Sequence, residues 1–361
     1  MNFSLRRHMR PRRFFARREA KTILTRSLLG FDINMPPDGL MKKPVRLLYH
    51  RCCNSELIAV AGGTSGLGRA IIDALKSDGS YEVLVLSRRD NKIRVLNANN
   101  YSDVDQLQTL LDRNGIQAVI SIFSGPLGSP GEPKLIEAAE HSSTTKRFIP
   151  SLFSGLPFTD EHSNNPFLAS HVAEFAVIHP GIFMDYYVPL PTHVAVLPIT
   201  VSLSAKYAAI PGSGNVPVSF RHTSSTGKYP SRLLAKPPGT WQKRYFILED
   251  NRTWNVVVAL AEKHMRVKFE VVYDSLEKTN MGEISQIPGI EVLYESFGGG
   301  GEARRFMMGW LAGYAQWMEK GHFWYQQGPL LSKEFNDVIE KLTFKKVWEI
   351  AGNESFVLRA T

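Results

Sequence analysis

The chain has 361 residues, 43% of them apolar, enough for one large α/β domain with an added lobe or for two domains. No run approaches the roughly 20 apolar residues that span a bilayer, and the two cysteines, Cys52 and Cys53, are adjacent, which speaks against a disulfide framework or a metal site and suits a reducing compartment. The net charge of +9 is concentrated: nine of the 43 Lys and Arg but only one of the 34 acids lie in residues 1–30, so the rest is balanced to within one charge and carries no nucleic-acid signature.

The basic tail has three readings. It is a mitochondrial presequence, a disordered basic arm, or the product of a start upstream of the true one. It has no secretory apolar core, and the linker Phe31–Asn54, with Pro36, Pro37 and Gly39, reads as irregular. Residues 1–54 are therefore expected to be a disordered extension. Leu57 to Ala61 then reads as a buried strand that runs into Gly62-Gly63-Thr64-Ser65-Gly66-Leu67-Gly68. Leu67, Ala70, Ile71, Ala74 and Leu75 follow at helical spacing. A strand, a glycine turn and a helix N-terminus make an anion site, where backbone N–H groups meet a pyrophosphate. A structural corner without a ligand is the alternative for such a turn.

Tyr81 to Ser87 reads as the second strand and ends in Arg88-Arg89. An acid at this strand end suits a ribose hydroxyl, whereas arginine suits the 2′-phosphate of NADP. An exposed basic loop is the alternative, and Asp90 follows directly. A helix over Ser102–Arg113 with Ser102 as N-cap, a strand over Gln117–Ser124, a helix over Glu132–His141 and a short strand within Lys146–Ser151 come next. A further strand lies in Phe175–Phe183. Alternating strands and helices imply a doubly wound parallel α/β sheet with its ligand crevice at the carboxyl ends. After Asp185 the pattern changes. Strands are predicted at Tyr207, Arg244–Leu248 and Val267–Tyr273, with a helix over Trp254–His264. Phe297–Glu302 reads as a flexible loop, and a helix to about Gly321 carries Met307, Leu311, Tyr314 and Met318 as a core stripe.

These blocks resemble the fungal NmrA-like proteins of the isoflavone-reductase-like, atypical short-chain dehydrogenase family. The resemblance rests on Gly62 to Gly68, Ser87-Arg88, Lys146-Arg-Phe-Ile-Pro-Ser151, Gly181-Ile-Phe-Met-Asp-Tyr186 and Ile210-Pro-Gly-Ser-Gly-Asn215, in that order. It implies a Rossmann part over 55–200 that binds NADP(H), a smaller substrate lobe over 201–361, and reduction of a small aromatic or conjugated molecule. It places Gly62, Gly63, Thr64, Ser65, Gly66, Leu67 and Gly68 at the pyrophosphate and Ser87, Arg88 and Arg89 at the 2′-phosphate. Ser124, Ser151 and Phe153 fall near the nicotinamide. Met184, Tyr186 and Tyr187 are expected to wall the substrate pocket.

The chain departs from the family at one point. Leu152 stands where the family has an acid after Pro-Ser, and no lysine occurs between Lys146 and Lys206, where the family carries its catalytic lysine on a helix. The segment Leu152–Glu174 looks short by a helix. His162, His171 and His179 are the remaining proton donors by residue type, and a helical segment near Asn165–Glu174 offers His171. A dinucleotide-binding regulator without turnover is thus the alternative to a reductase. The expected partner is a small-molecule substrate, with no nucleic acid, membrane or metal. The expected compartment is cytoplasmic, or mitochondrial if the tail is a presequence.

Overall fold

The computed structural model describes residues 55–63, 66–87, 95–97, 101–123, 131–153, 171–188, 197–296, 299–326 and 328–353. The first half builds six parallel strands: β1 (Glu56–Ala61), β2 (Tyr81–Ser87), β3 (Val95–Asn97), β4 (Ala118–Ser121), β5 (Arg147–Ile149) and β6 (Glu174–Phe175). Their spatial order is β3-β2-β1-β4-β5-β6. The chain steps outward from β1 in one direction and then returns to step outward in the other. The switch point between β1 and β4 is where the crevice of a doubly wound sheet lies.

The strands are apolar throughout because both faces are covered. Successive side chains alternate between two cores, as the strand period of two requires. Ile58, Val60, Val83, Val85, Ile120 and Ile149 face helix α1 (Gly66–Asp78). Ala59, Ala61, Leu84, Leu86, Val119 and Phe148 face helices α2 (Val104–Arg113) and α3 (Gly131–His141). Each large apolar side chain buried this way contributes roughly 1.5–3 kcal/mol.

Helix α2 starts one residue later than expected. Asp103, rather than Ser102, is its N-cap, and the Asp103 carboxylate accepts the Gln106 N–H at 3.0 Å. The strand predicted within Phe175–Phe183 is broken into three pieces that serve three sheets. β6 closes the main sheet, β7 (Val177–His179) pairs elsewhere, and β8 (Ile182–Phe183) pairs in a third place. Pro180 and Gly181, at φ +73°, turn the chain between β7 and β8.

The second half is a patchwork of small sheets. β9 (Val201–Ser202) and β10 (Tyr207–Pro211) join β14 (Glu270–Asp274), β11 (Val218–Arg221) lies between β8 and β13 (Asp250–Arg252), and β12 (Arg244–Phe246) pairs with β7. Short helices α4 (Thr223–Thr226) and α5 (Lys228–Leu234) follow β11. Helix α6 (Trp254–Met265) brings Trp254 edge-on against Tyr187 and Phe220, at centroid distances of 5.1 and 5.3 Å. Helices α7 (Leu276–Asn280), α8 (Glu291–Ser296), α9 (Gly300–Glu319), α10 (Leu331–Glu334) and α11 (Phe344–Asn353) complete the lobe. Gly300 to Glu302, expected in a flexible loop, form the first turn of α9. Its stripe of Met307, Leu311, Tyr314 and Met318 is buried, as the spacing predicts.

Helix α5 reaches back across the first half. Tyr229, Leu233 and Leu234 pack into the same core as α1. Gly227, between α4 and α5, lies so close to α1 that a Cβ there would stand 2.7 Å from the carbonyl carbon and oxygen of Ala70. The helix that leaves the glycine turn is therefore clamped by the segment that follows β11.

Candidate functional site

The crevice begins where β1 ends. The Ile122 N–H donates to the Ala61 carbonyl at 2.7 Å, drawing the end of β4 against the turn. Gly62 has φ +78°, and a Cβ at that position would overlap the Ile122 carbonyl oxygen. Gly66 opens α1 at φ +57°. Both conformations belong to glycine. Gly63, Leu67 and Gly68 are buried, so only backbone is presented here by the described residues of the turn. A backbone cradle at a helix N-terminus fits a pyrophosphate, because the N–H groups of a first helical turn have no partners within the helix. Ser87 ends β2 beside β1, at the same carboxyl edge. Thr64, Ser65, Arg88, Arg89 and Ser124 lie outside the described residues.

The floor between β4 and β5 holds an acid that the sequence reading passed over. Glu132, in the first turn of α3, is 1% exposed and accepts the Ser151 N–H at 2.6 Å. The Ser151 hydroxyl donates to the Phe123 carbonyl at 2.7 Å. Burial pushes the Glu132 carboxyl up, while the Ser151 N–H and the nearby Ser121 hydroxyl pull it back. An acid in a first helical turn reads as a helix-dipole residue, which is why its sequence position gave no sign of this tie.

Several expected site residues sit elsewhere. Phe153 is buried in the core beside Ile149, on the α1 side of the sheet. Met184 and Tyr187 are 0% and 1% exposed and belong to the core of the second lobe. Tyr186 alone of the three is half-buried, and burial pushes its hydroxyl up to about 12. His171 lies at the opposite end of the sheet. It precedes β6, and its N–H donates at 2.7 Å to Glu140 in the last turn of α3, about 12 Å of helix away from Glu132. Residues 171–173 are not helical, since the chain is entering β6 there. His179 is buried and stacked on Phe246 at 5.1 Å, and His162 lies outside the described residues.

Beside α1 lies a buried polar network built from distant stretches of chain. Asp185, from the 3-10 turn Met184–Tyr187, accepts the Thr223 N–H at 2.9 Å and the Thr223 hydroxyl, and His222 Nε2 stands 3.4 Å from Asp185 Oδ1. Glu249 accepts the His222 N–H at 3.2 Å, the Ser225 hydroxyl at 2.8 Å and the Tyr229 hydroxyl at 3.3 Å. Burial pushes the Glu249 carboxyl up to about 7 despite these donors. Arg221, the last residue of β11, is 0% exposed, and its Cζ sits 3.2 Å over the centroid of the Phe183 ring. Burial lowers its guanidinium to about 10, which leaves it charged at neutral pH.

Among the described residues, no cluster of three or more His, Cys, Asp or Glu is placed to hold a metal, and no helix is long and apolar enough to cross a membrane.

Comparison with known proteins agrees with this architecture. The chain is 32% identical over 228 residues to oxidoreductase BOA1 of Botryotinia fuckeliana (strain B05.10), covering 57% of this chain and 75% of that protein. It is 25% identical over 284 residues to oxidoreductase swnN of Metarhizium robertsii (strain ARSEF 23 / ATCC MYA-3075), covering 66% and 82%. Its fold superposes on leucoanthocyanidin reductase from Vitis vinifera in a ternary complex with a TM-score of 0.62 at 15% identity, covering 82% of this chain and 100% of that one. It superposes on isoflavone reductase with a TM-score of 0.59 at 19% identity, covering 82% and 99%. No family model matches the chain. A doubly wound sheet with a glycine turn at its switch point is the fold of the Rossmann-type reductases. Within that class, the chain belongs to the isoflavone-reductase-like, NmrA-type family of oxidoreductases.

Proposed function

We propose that the protein is an NADPH-dependent reductase of a small aromatic or conjugated organic molecule. The observation that carries this reading is the glycine turn at the β1/β4 switch point, pressed against β4 and free of large side chains. In this reading Gly62, Gly63, Thr64, Ser65, Gly66, Leu67 and Gly68 hold the pyrophosphate through backbone N–H groups. Ser87, Arg88 and Arg89, at and after the carboxyl end of β2, hold the 2′-phosphate. Ser124 and Ser151 border the nicotinamide, and the Glu132 tie fixes Ser151 from below. Bound NADPH would supply the hydride. The likeness to AtPrR2 solved with NADP+ and (+)pinoresinol, at a TM-score of 0.58 and 20% identity, supports the cofactor and the substrate class.

Titration of NADPH and NADH fluorescence tests the reading. Charge-assisted contacts to the extra phosphate predict about tenfold to a hundredfold tighter NADPH binding, lost in Arg88→Ala. Equal affinities for the two cofactors would overturn it. A second reading, a dinucleotide-binding sensor without turnover, is favoured by the missing lysine between Lys146 and Lys206. Loss of an acid–base group costs about 10²- to 10⁴-fold in rate. NADPH oxidation is to be followed with a panel of enones, quinones and aromatic ketones. Turnover near ten per second, a typical enzyme value, excludes the sensor, and binding without oxidation excludes the reductase.

A further inference from the structure

Arg221 carries a full charge into the protein interior, and none of its three guanidinium nitrogens has a hydrogen-bond acceptor among the described residues. Buried guanidinium groups are normally paired, because a guanidinium presents five donors and pays heavily for leaving water. The two carboxylates nearby do not pair with it. Asp185 is engaged by Thr223 and His222, and Glu249 by His222, Ser225 and Tyr229. The remaining polar neighbours acting on Arg221 are the hydroxyls of Tyr186, Tyr314 and Tyr325. One flat face of the guanidinium lies on Phe183, so its hydrogen-bonding edges are what remain for a ligand.

The position is also right for the crevice. Phe183 packs against the same core as Ile122, the residue that closes on Gly62. The segment that begins just after Arg221 clamps α1. Phe183 and Tyr186 are each half-buried, so they form the partly open side of an otherwise sealed group. A planar, fixed-charge fork beside aromatic rings matches the two oxygens of a carboxylate and the flat body that bears it.

We propose that Arg221 is the seat for a carboxylate on the substrate, and that the molecule reduced in this crevice is an aromatic or conjugated acid. This rests on the reductase reading of the crevice. The guanidinium holds the acid in place, and Phe183 and Tyr186 flank the body of the molecule.

The test uses the full chain, with and without saturating NADPH. Benzoate, cinnamate and 2-naphthoate are each compared with their own amide by calorimetry. The expected result is that at least one acid binds about tenfold or more tighter than its amide, the range of a charge-assisted bidentate contact. Arg221→Met should erase that preference while leaving NADPH affinity unchanged. Arg221→Lys, which keeps the charge and loses the fork, should keep only part of it. If no acid outbinds its amide, or if the preference survives in Arg221→Met, the proposal is overturned. The acid–amide comparison in the unmodified chain decides the matter even where Arg221→Met fails to fold. A chain that prefers acids but does not bind NADPH refutes the reductase reading and keeps the seat, whereas NADPH binding without acid preference does the reverse.

Discussion

Among the described residues two arginines are buried, and they are treated in opposite ways. Arg147 opens β5 at the amino edge of the sheet. Its Nε donates to Glu174 at 2.6 Å, and its two terminal nitrogens donate to the carbonyls of Leu234 at 2.6 Å and Lys236 at 3.0 Å. Glu174 in turn accepts the N–H groups of Thr240 and Trp241 at 3.0 and 3.2 Å. Each of the three guanidinium nitrogens donates, and the result staples β5, β6 and the end of α5 together. Arg221, the last residue of β11, has its charge and no hydrogen-bond acceptor among the described residues. The first arrangement is what a fold does with a charge it needs for itself. The second holds donors in reserve, and such unsatisfied groups concentrate at binding sites.

The contrast can be broken experimentally. Arg147→Ala should have the largest effect, because it leaves Glu174 buried and uncompensated. The expected loss is about 3–5 kcal/mol by urea denaturation, and a loss below about 1 kcal/mol would mean that Arg147 does not staple the sheet. Gly62→Ala comes next, since it combines a left-handed backbone with a Cβ against the Ile122 carbonyl. About 1–3 kcal/mol of destabilisation is expected, together with lost NADPH binding. Gly66→Val, at φ +57°, should abolish NADPH binding with the circular dichroism spectrum retained. Unchanged affinity there would make the turn a structural corner only.

A smaller effect sharpens the picture of the network around Arg221. The Glu249 carboxyl is raised from 4.5 to about 7 by burial. The native state therefore holds a proton that the unfolded chain releases. Its contribution to stability is fully present below pH 4.5, declines as pH rises, and is gone above about pH 7. Glu249→Gln should flatten this decline, giving a variant that gains on the parent from acid to neutral pH. Parallel melting curves across that range would contradict it. Arg221→Met should be the mildest for stability, within about 1 kcal/mol of the parent or above it. A drop as large as that of Arg147→Ala would mean that the two arginines do the same job.

What the sequence made legible follows from the range of the forces involved. The glycine turn, the strand Leu57–Ala61 and the helix stripe of α1 are local signals, and each stands where its spacing puts it. Burial on both faces of the sheet was legible because β1, β2 and β4 are apolar at consecutive positions. The Ser102 cap was misplaced by one residue because two adjacent side chains can both cap, and geometry chose Asp103. His171, offered as a proton donor by residue type, stands just before β6 and so at the amino edge of the sheet, because a parallel crossover returns to that edge. The network of Asp185, Arg221, His222 and Glu249 has no sequence spacing at all. It exists only once β8, β11 and β13 have paired, and no periodicity could have announced it.

The contact between Gly227 and Ala70 has a consequence for how this chain can change over time. The two positions are 157 residues apart in sequence, yet Gly227 cannot enlarge while α1 stays where it is, because a Cβ there already meets the α1 backbone at 2.7 Å. In a library that randomises position 227, nearly all survivors should keep glycine, and any escape should carry changes that move α1 and α5 apart. The obstacle is main chain, which no side-chain exchange at Ala70 removes, so the seam between the two halves of the molecule can be reshaped only by moving whole helices.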